Sequence, residues 1–165
     1  RYLHGWDLAR KQTWTVGITL DATKKPYQVV KLERFQRRDW PAVYESIRQR
    51  QREYGGETII DSSGVGDVVL AHLSDIKAQG VVFTTQSKAE LLTNLQSHFE
   101  SGLIGVPVIE DYSESEVWSI TDELREATWE HNSHCDAVMA LALALWPLRP
   151  RGDLKESLRP RVGQF

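Results

Sequence analysis

The sequence predicts an α/β fold built on a mixed sheet, an antiparallel three-strand meander followed by parallel strands, with helices on both faces. Three observations carry that prediction. Three strand-like segments stand near the start, separated only by short turns. Beyond Gly56, short β-branched runs alternate with amphipathic stretches of helical length, as in sheets whose strands run parallel. The most apolar stretch, Ala137 to Trp146, suits a buried helix and is far too short to span a membrane.

The elements follow in order. YLHGWDLA and WTVGITLD read as strands from their aromatic and β-branched content. Lys24-Lys25-Pro26 makes a turn, and YQVVKLERFQ alternates as a half-exposed strand. Asp39-Trp40-Pro41 opens a helix, with Asp39 as its cap and Pro41 in its first turn. AVYESIRQRQREY continues that helix until Gly55-Gly56 stop it. ETIIDSS is a short apolar strand ending in an acid, GVGDVVLAHLSDIKAQG a helix closed by Gly80, and VVFTT the next strand. SKAELLTNLQSHFESG places Leu91, Leu92, Leu95 and Phe99 at helical spacing. LIGVPVI is an edge-like segment interrupted by Pro107, and EVWSITDELREATW fits helix and strand alike. A last helix runs from about Ser133 to Trp146, where Pro147 ends it. Residues 1–148 are therefore expected as one domain, and 149–165 as a flexible C-terminal tail or linker.

Bulk properties narrow the class. The chain has 165 residues, 41% hydrophobic and 26% charged, which suits a soluble globular domain with a real core. A net charge of −3 rules out global attraction to nucleic acid, so such contacts need a local basic patch. One cysteine, Cys135, excludes an internal disulfide and fits a reducing compartment. No signal peptide is evident, and a start at Arg1 rather than Met suggests a domain excised from a longer protein.

Three carboxylates stand at the ends of core elements: Asp7 in the first strand, Asp61 ending the fourth, Asp136 opening the last helix. Apolar neighbours flank each of them, and a buried, unpaired carboxylate costs several kcal/mol or takes up a proton. Gathered together, the three would repel unless a cation neutralised them. Hard divalent ions with oxygen ligands, Mg²⁺ or Mn²⁺ as one or two ions, answer that need and would serve phosphodiester cleavage. Taken singly, each acid has a plainer reading: a partner for Arg10, a turn former before Ser62-Ser63-Gly64, or a complement to a helix dipole.

Lesser candidates surround them. Gly64 and Gly66 fit a tight strand-to-helix turn, and no Walker A sequence is present. Asp67, His134 and Lys88 are possible supporting residues, with His131 a weaker one. Arg10, Lys11, Lys24, Lys25, Arg34, Arg37 and Arg38 gather around the first three strands, either as a solvated face or as sequence-independent phosphate contacts beside the acids.

Four patterns in order, GWDLARKQTWTV, IIDSSGVGDVVLAHL, FTTQSKAELLTNLQSHFESGLIGVP and HCDAVMALALA, give the chain a resemblance to a known family. It resembles the C-terminal nuclease domain of the large terminase subunit of tailed bacteriophages, a branch of the ribonuclease H-like superfamily. The likeness covers roughly residues 3 to 146. It implies a metal-dependent endodeoxyribonuclease that cuts concatemeric viral DNA during packaging, with Asp7, Asp61 and Asp136 as catalytic metal ligands. It implies double-stranded DNA, an upstream ATPase motor, a portal and a small terminase subunit as partners, and no membrane. The expected location is the host cytoplasm, transiently at the procapsid portal. One departure stands out: where the family often shows two adjacent acids after the histidine, this chain has Cys135 and Asp136. The same fold also serves junction resolvases and transposase-like nucleases, and a non-catalytic docking domain is the third alternative.

Overall fold

The computed structural model describes residues 1–8, 14–64, 66–112, 117–127 and 135–150; at 66, 67, 110–112 and 117 it describes the backbone. Among the described residues, six strands form one sheet in the order β5-β4-β1-β2-β3-β6. Strands β1 (Tyr2–Asp7), β2 (Thr15–Asp21) and β3 (Tyr27–Phe35) form the predicted antiparallel meander. Strands β4 (Glu57–Asp61) and β5 (Ala78–Val81) extend it in parallel on the β1 side, and β6 (Ile104–Gly105) lies parallel to β3.

The helices α1 (Trp40–Tyr54), α2 (Gly66–His72), α3 (Thr85–Glu100), α4 (Ile120–Glu126) and α5 (Asp136–Leu145) complete the fold. A small hairpin, β7 (Glu110–Tyr112) with β8 (Val117–Ser119), precedes α4. Asp39 caps α1 as expected, its carboxylate accepting the Ala42 N–H at 2.9 Å. Trp146–Leu148 form a 3₁₀ turn at the proline that ends α5. Among the described residues no helix is long and apolar enough to cross a membrane. The tail at 151–165 lies outside the described residues.

Two cores separate by strand parity. Leu3, Val16, Ile18, Leu20 and Ile59 face α3 and α5, whereas Trp6, Phe35 and Ile60 face α1 and α2. Helix α5 is buried along its whole length, which explains its nearly unbroken apolar sequence. It lies close on β1 because Gly5 leaves room: a Cβ there would sit 1.9 Å from the Ala140 carbonyl oxygen and 2.4 Å from the Ala144 nitrogen. On the other face, buried Arg50 donates to Thr19 Oγ1 at 2.7 Å, and its guanidinium also pairs with Glu33 at 3.2 Å.

The structure corrects the reading of residues 66–85. Helix α2 ends at His72, and Gly80 sits inside β5 rather than closing a helix. A Cβ at Gly80 would meet Leu70 and Ser62 side-chain atoms at 2.7 and 2.8 Å, so this glycine serves close packing of α2 over the strand. The ambiguous EVWSITDELREATW segment divides, its start pairing as β8 and its middle turning into α4. Helix α5 spans Asp136–Leu145, and Ser133, near which the last helix is expected to start, lies outside the described residues.

Candidate metal and catalytic site

The sheet places two of the three acids side by side. Parallel pairing of Gly5 with Ile59 and Trp6 with Ile60 makes Asp7 and Asp61 the next neighbours, on strands about 4.8 Å apart. Asp7 shares its face with Leu3, and Asp61 shares its face with Ile59, so both carboxylates lie on the α5 face. Asp136 is in the first turn of α5 on that face. The predicted trio converges at one end of the sheet.

The surroundings hold each acid differently. Asp61 is 7% exposed, and its Oδ1 accepts the Ser63 N–H at 2.8 Å. Asp136 Oδ2 accepts the Trp14 N–H at a long 3.4 Å. Asp7 is half-buried. Desolvation pushes its carboxyl well above the usual carboxylate range, the anions of Asp136 and Asp61 push it further, Lys88 opposes them, and Glu123 adds to the rise. Lys88, near the start of α3, places its positive charge within electrostatic reach of Asp7.

Glu123 escaped the sequence reading. Its Oε1 accepts the N–H groups of Ala137 and Val138 at 2.7 and 3.0 Å, and its Oε2 accepts the Trp118 indole N–H at 2.8 Å. Helix α5 needs such help, because its N-cap residue Cys135 makes no side-chain cap bond. Glu123 therefore caps α5 from another helix and fixes the turn that carries Asp136. The signal in the sequence was indirect: a helix start lacking Ser, Thr, Asp or Asn at its cap position needs an acceptor from elsewhere. Cys135 is half-buried against the α3/α5 core.

The basic residues scatter. Arg34 lies level with Val16 and Asp7, two strands across on the same face, and its guanidinium is stacked between the rings of Trp14 at 3.3 Å and Trp118 at 4.7 Å. It braces the two residues that contact Asp136 and Glu123. Arg38 pairs with Glu33 at 3.1 Å and covers the Phe35 ring, while Arg37 is exposed with a left-handed φ of 56°. Lys24 and Lys25 sit in the β2–β3 turn, at the opposite end of the sheet, roughly 17 Å along β1 from Asp7. They do not flank the carboxylates, because the meander returns the chain to the far end there. Arg10, Lys11, His131 and His134 lie outside the described residues, as does the side chain of Asp67.

The donor set suits a hard divalent cation: carboxylate oxygens only, with burial and the neighbouring anions raising the pKa of Asp7 where no cation offsets them. Among the described residues no three His, Cys, Asp or Glu side chains are already drawn together as a metal cage.

Solved structures resemble this arrangement over most of the chain. The large terminase nuclease of the thermophilic phage G20c, with bound zinc, matches with a TM-score of 0.72 and 28% identity, over 87% of this chain and 79% of that one. The same nuclease has been crystallised with magnesium and with cobalt. The large terminase nuclease domain of Thermus phage P74-26 matches at a TM-score of 0.63 and 21% identity, over 87% of this chain and 77% of its own. The chain also matches 39% of a large terminase from another thermophilic bacteriophage, at a TM-score of 0.60 and 11% identity. No protein-family model and no curated protein matches by sequence. The sheet and its helices are thus the ribonuclease H-like fold of phage terminase nucleases, as the resemblance implied.

Proposed function

We propose that this domain is a divalent-metal-dependent DNA endonuclease that cleaves concatemeric viral DNA during genome packaging, with little sequence specificity. The observation that carries the reading is the convergence of Asp7, Asp61 and Asp136 on one face at one end of the sheet, in a fold similar to terminase nucleases. Asp7, Asp61 and Asp136 would hold Mg²⁺ or Mn²⁺, as one or two ions. Such ions, when bound, polarise a phosphodiester and lower the pKa of a water.

The rest is the chain's own work. The Ser63 N–H aims Asp61, and Glu123 together with the Trp14 N–H aims Asp136. Lys88 adds a cation beside Asp7, suited to a phosphate oxygen of the substrate. Arg37, exposed in the turn after β3, and Arg38 offer sequence-independent contacts to the DNA backbone. Cutting with little specificity requires this kind of recognition, since none of these groups reads a base edge. In the whole protein the domain would work beside an N-terminal ATPase motor, with the portal and a small terminase subunit as partners, in the host cytoplasm.

Nicking of supercoiled plasmid in Mg²⁺ or Mn²⁺ tests the proposal. Asp61→Asn should abolish it while leaving the circular dichroism spectrum unchanged. Metal-dependent nicking that survives this substitution would overturn the proposal, and a domain inert even unsubstituted would favour a docking role.

A further inference from the structure

At the same end of the sheet as the carboxylates, but on the α1 face, three rings form a stack. Trp40 lies on Tyr44 with centroids 5.8 Å apart and planes 26° apart; Tyr44 lies on His72 at 5.0 Å and 17°. These rings, with Arg48, Gly64 and Val68, line a cavity of about 580 Å³. Tyr44 belongs to the core, whereas Trp40 is 37% exposed and Val68 60% exposed. Apolar surface of that kind is left open next to a candidate catalytic centre, and neither packing nor the carboxylate chemistry uses it.

The walls are rigid. Arg48 bonds both carboxylate oxygens of Asp75 and the His72 carbonyl, which ties α1 to the end of α2. His72 Nδ1 donates to the Val68 carbonyl at 2.8 Å, which holds the ring flat against Tyr44 and leaves Nε2 to serve a ligand. The site is joined to the carboxylates through one turn: Gly64 lines the cavity, Ser63 is bonded to Asp61, and Asp61 ends β4.

A flat aromatic platform with apolar walls and one polar ring edge matches a nucleobase. We infer that this cavity is a stacking subsite for an unpaired nucleobase of the DNA strand that approaches the carboxylates. It takes single-stranded ends or frayed steps and is indifferent to base identity, because every base has a stacking face. The inference rests on the nuclease reading for its DNA, but it concerns binding rather than cleavage.

Fluorescence anisotropy in EDTA separates the two. Three probes are compared: a blunt duplex, the same duplex with a short single-stranded overhang, and that overhang made abasic. The unaltered domain should bind the base-bearing overhang more tightly than the abasic one, by about five- to a hundredfold for one stacked base. Trp40→Ala should erase that difference without weakening blunt-duplex binding, and Trp40→Phe should retain most of it. Equal affinity of the unaltered domain for base-bearing and abasic overhangs overturns the subsite, and needs no variant to fold. Equal weakening of all three probes by Trp40→Ala also overturns it, as a structural effect. If base discrimination stands while Asp61→Asn keeps its nicking activity, the nuclease reading fails and the subsite does not.

Discussion

Gly5→Ala tests whether the seating of α5 on β1 positions the third carboxylate. The new Cβ would lie 1.9 Å from the Ala140 oxygen and 2.4 Å from the Ala144 nitrogen, both backbone atoms, so no side chain can swing aside. An ordinary contact needs 3.4 Å or more, so the helix must retreat by about 1.5 Å. Overpacking of this kind costs about 1–3 kcal/mol, which for a domain of this size lowers Tm by roughly 3–10 °C. Because α5 carries Asp136, the same retreat moves one ligand away from the two on the sheet. Misplacement by about 1 Å can cost on the order of a hundredfold in rate. Gly17→Ala is the control. Its Cβ would strike the Trp6 ring at 2.5 Å, on the opposite face from α5. Thermal melts and plasmid nicking at a temperature where both variants are folded decide the matter. Both should lose stability, but only Gly5→Ala should lose most of its nicking rate per folded molecule. Equal rates in the two variants, or an unchanged rate in Gly5→Ala, would refute the reasoning.

Two other perturbations follow from the hydrogen bonding. His4 is wholly buried; its Nε2 donates to the Gly55 carbonyl at 2.6 Å, so its Nδ1, 3.0 Å from Thr19 Oγ1, is the acceptor of the neutral ring. Burial lowers its pKa from 6.5, the Gly55 carbonyl opposes that, and Arg50 lowers it further. The unfolded chain therefore takes up this proton first: the stabilisation is fully present above about pH 6.5 and is lost as pH falls from there through the lower folded pKa. The difference in stability between the unaltered domain and His4→Phe, from urea melts across that range, should change with a slope approaching about 1.4 kcal/mol per pH unit. Glu123→Ala strips the acceptor from two N–H groups at the start of α5 and should cost about 1–2 kcal/mol in denaturant melts. Nicking should fall with it, whereas Glu123→Gln, which keeps one acceptor oxygen, should retain more of both.

Much of this molecule is local and periodic, and local periodicity is legible. The aromatic content of β1, the β-branched runs of β2 to β4, the Asp39 cap and the Gly55 stop of α1, and the apolar length of α5 each follow from a short window of sequence. So do the three acids at element ends, because a carboxylate between buried neighbours is anomalous wherever it occurs. Residues 66–85 depart from expectation because glycine ends helices and also admits close packing, and only the crowding around Gly80 distinguishes the two uses. The split of EVWSITDELREATW into strand and helix depended likewise on which partners were at hand.

Local sequence says which residues carry the charge and on which elements they ride. Tertiary structure decided who meets whom. The register of β1 on β4 sets Asp7 beside Asp61, and Glu123 reaches across from α4 to cap a helix whose own cap residue, Cys135, cannot. Lys24 and Lys25 end up far from the acids although they are as close in sequence as Arg37 and Arg38 are to the meander. The physical reason is common to all three. Hydrogen-bond register and the direction of a strand are properties of pairs of segments, so no single window of the chain contains them.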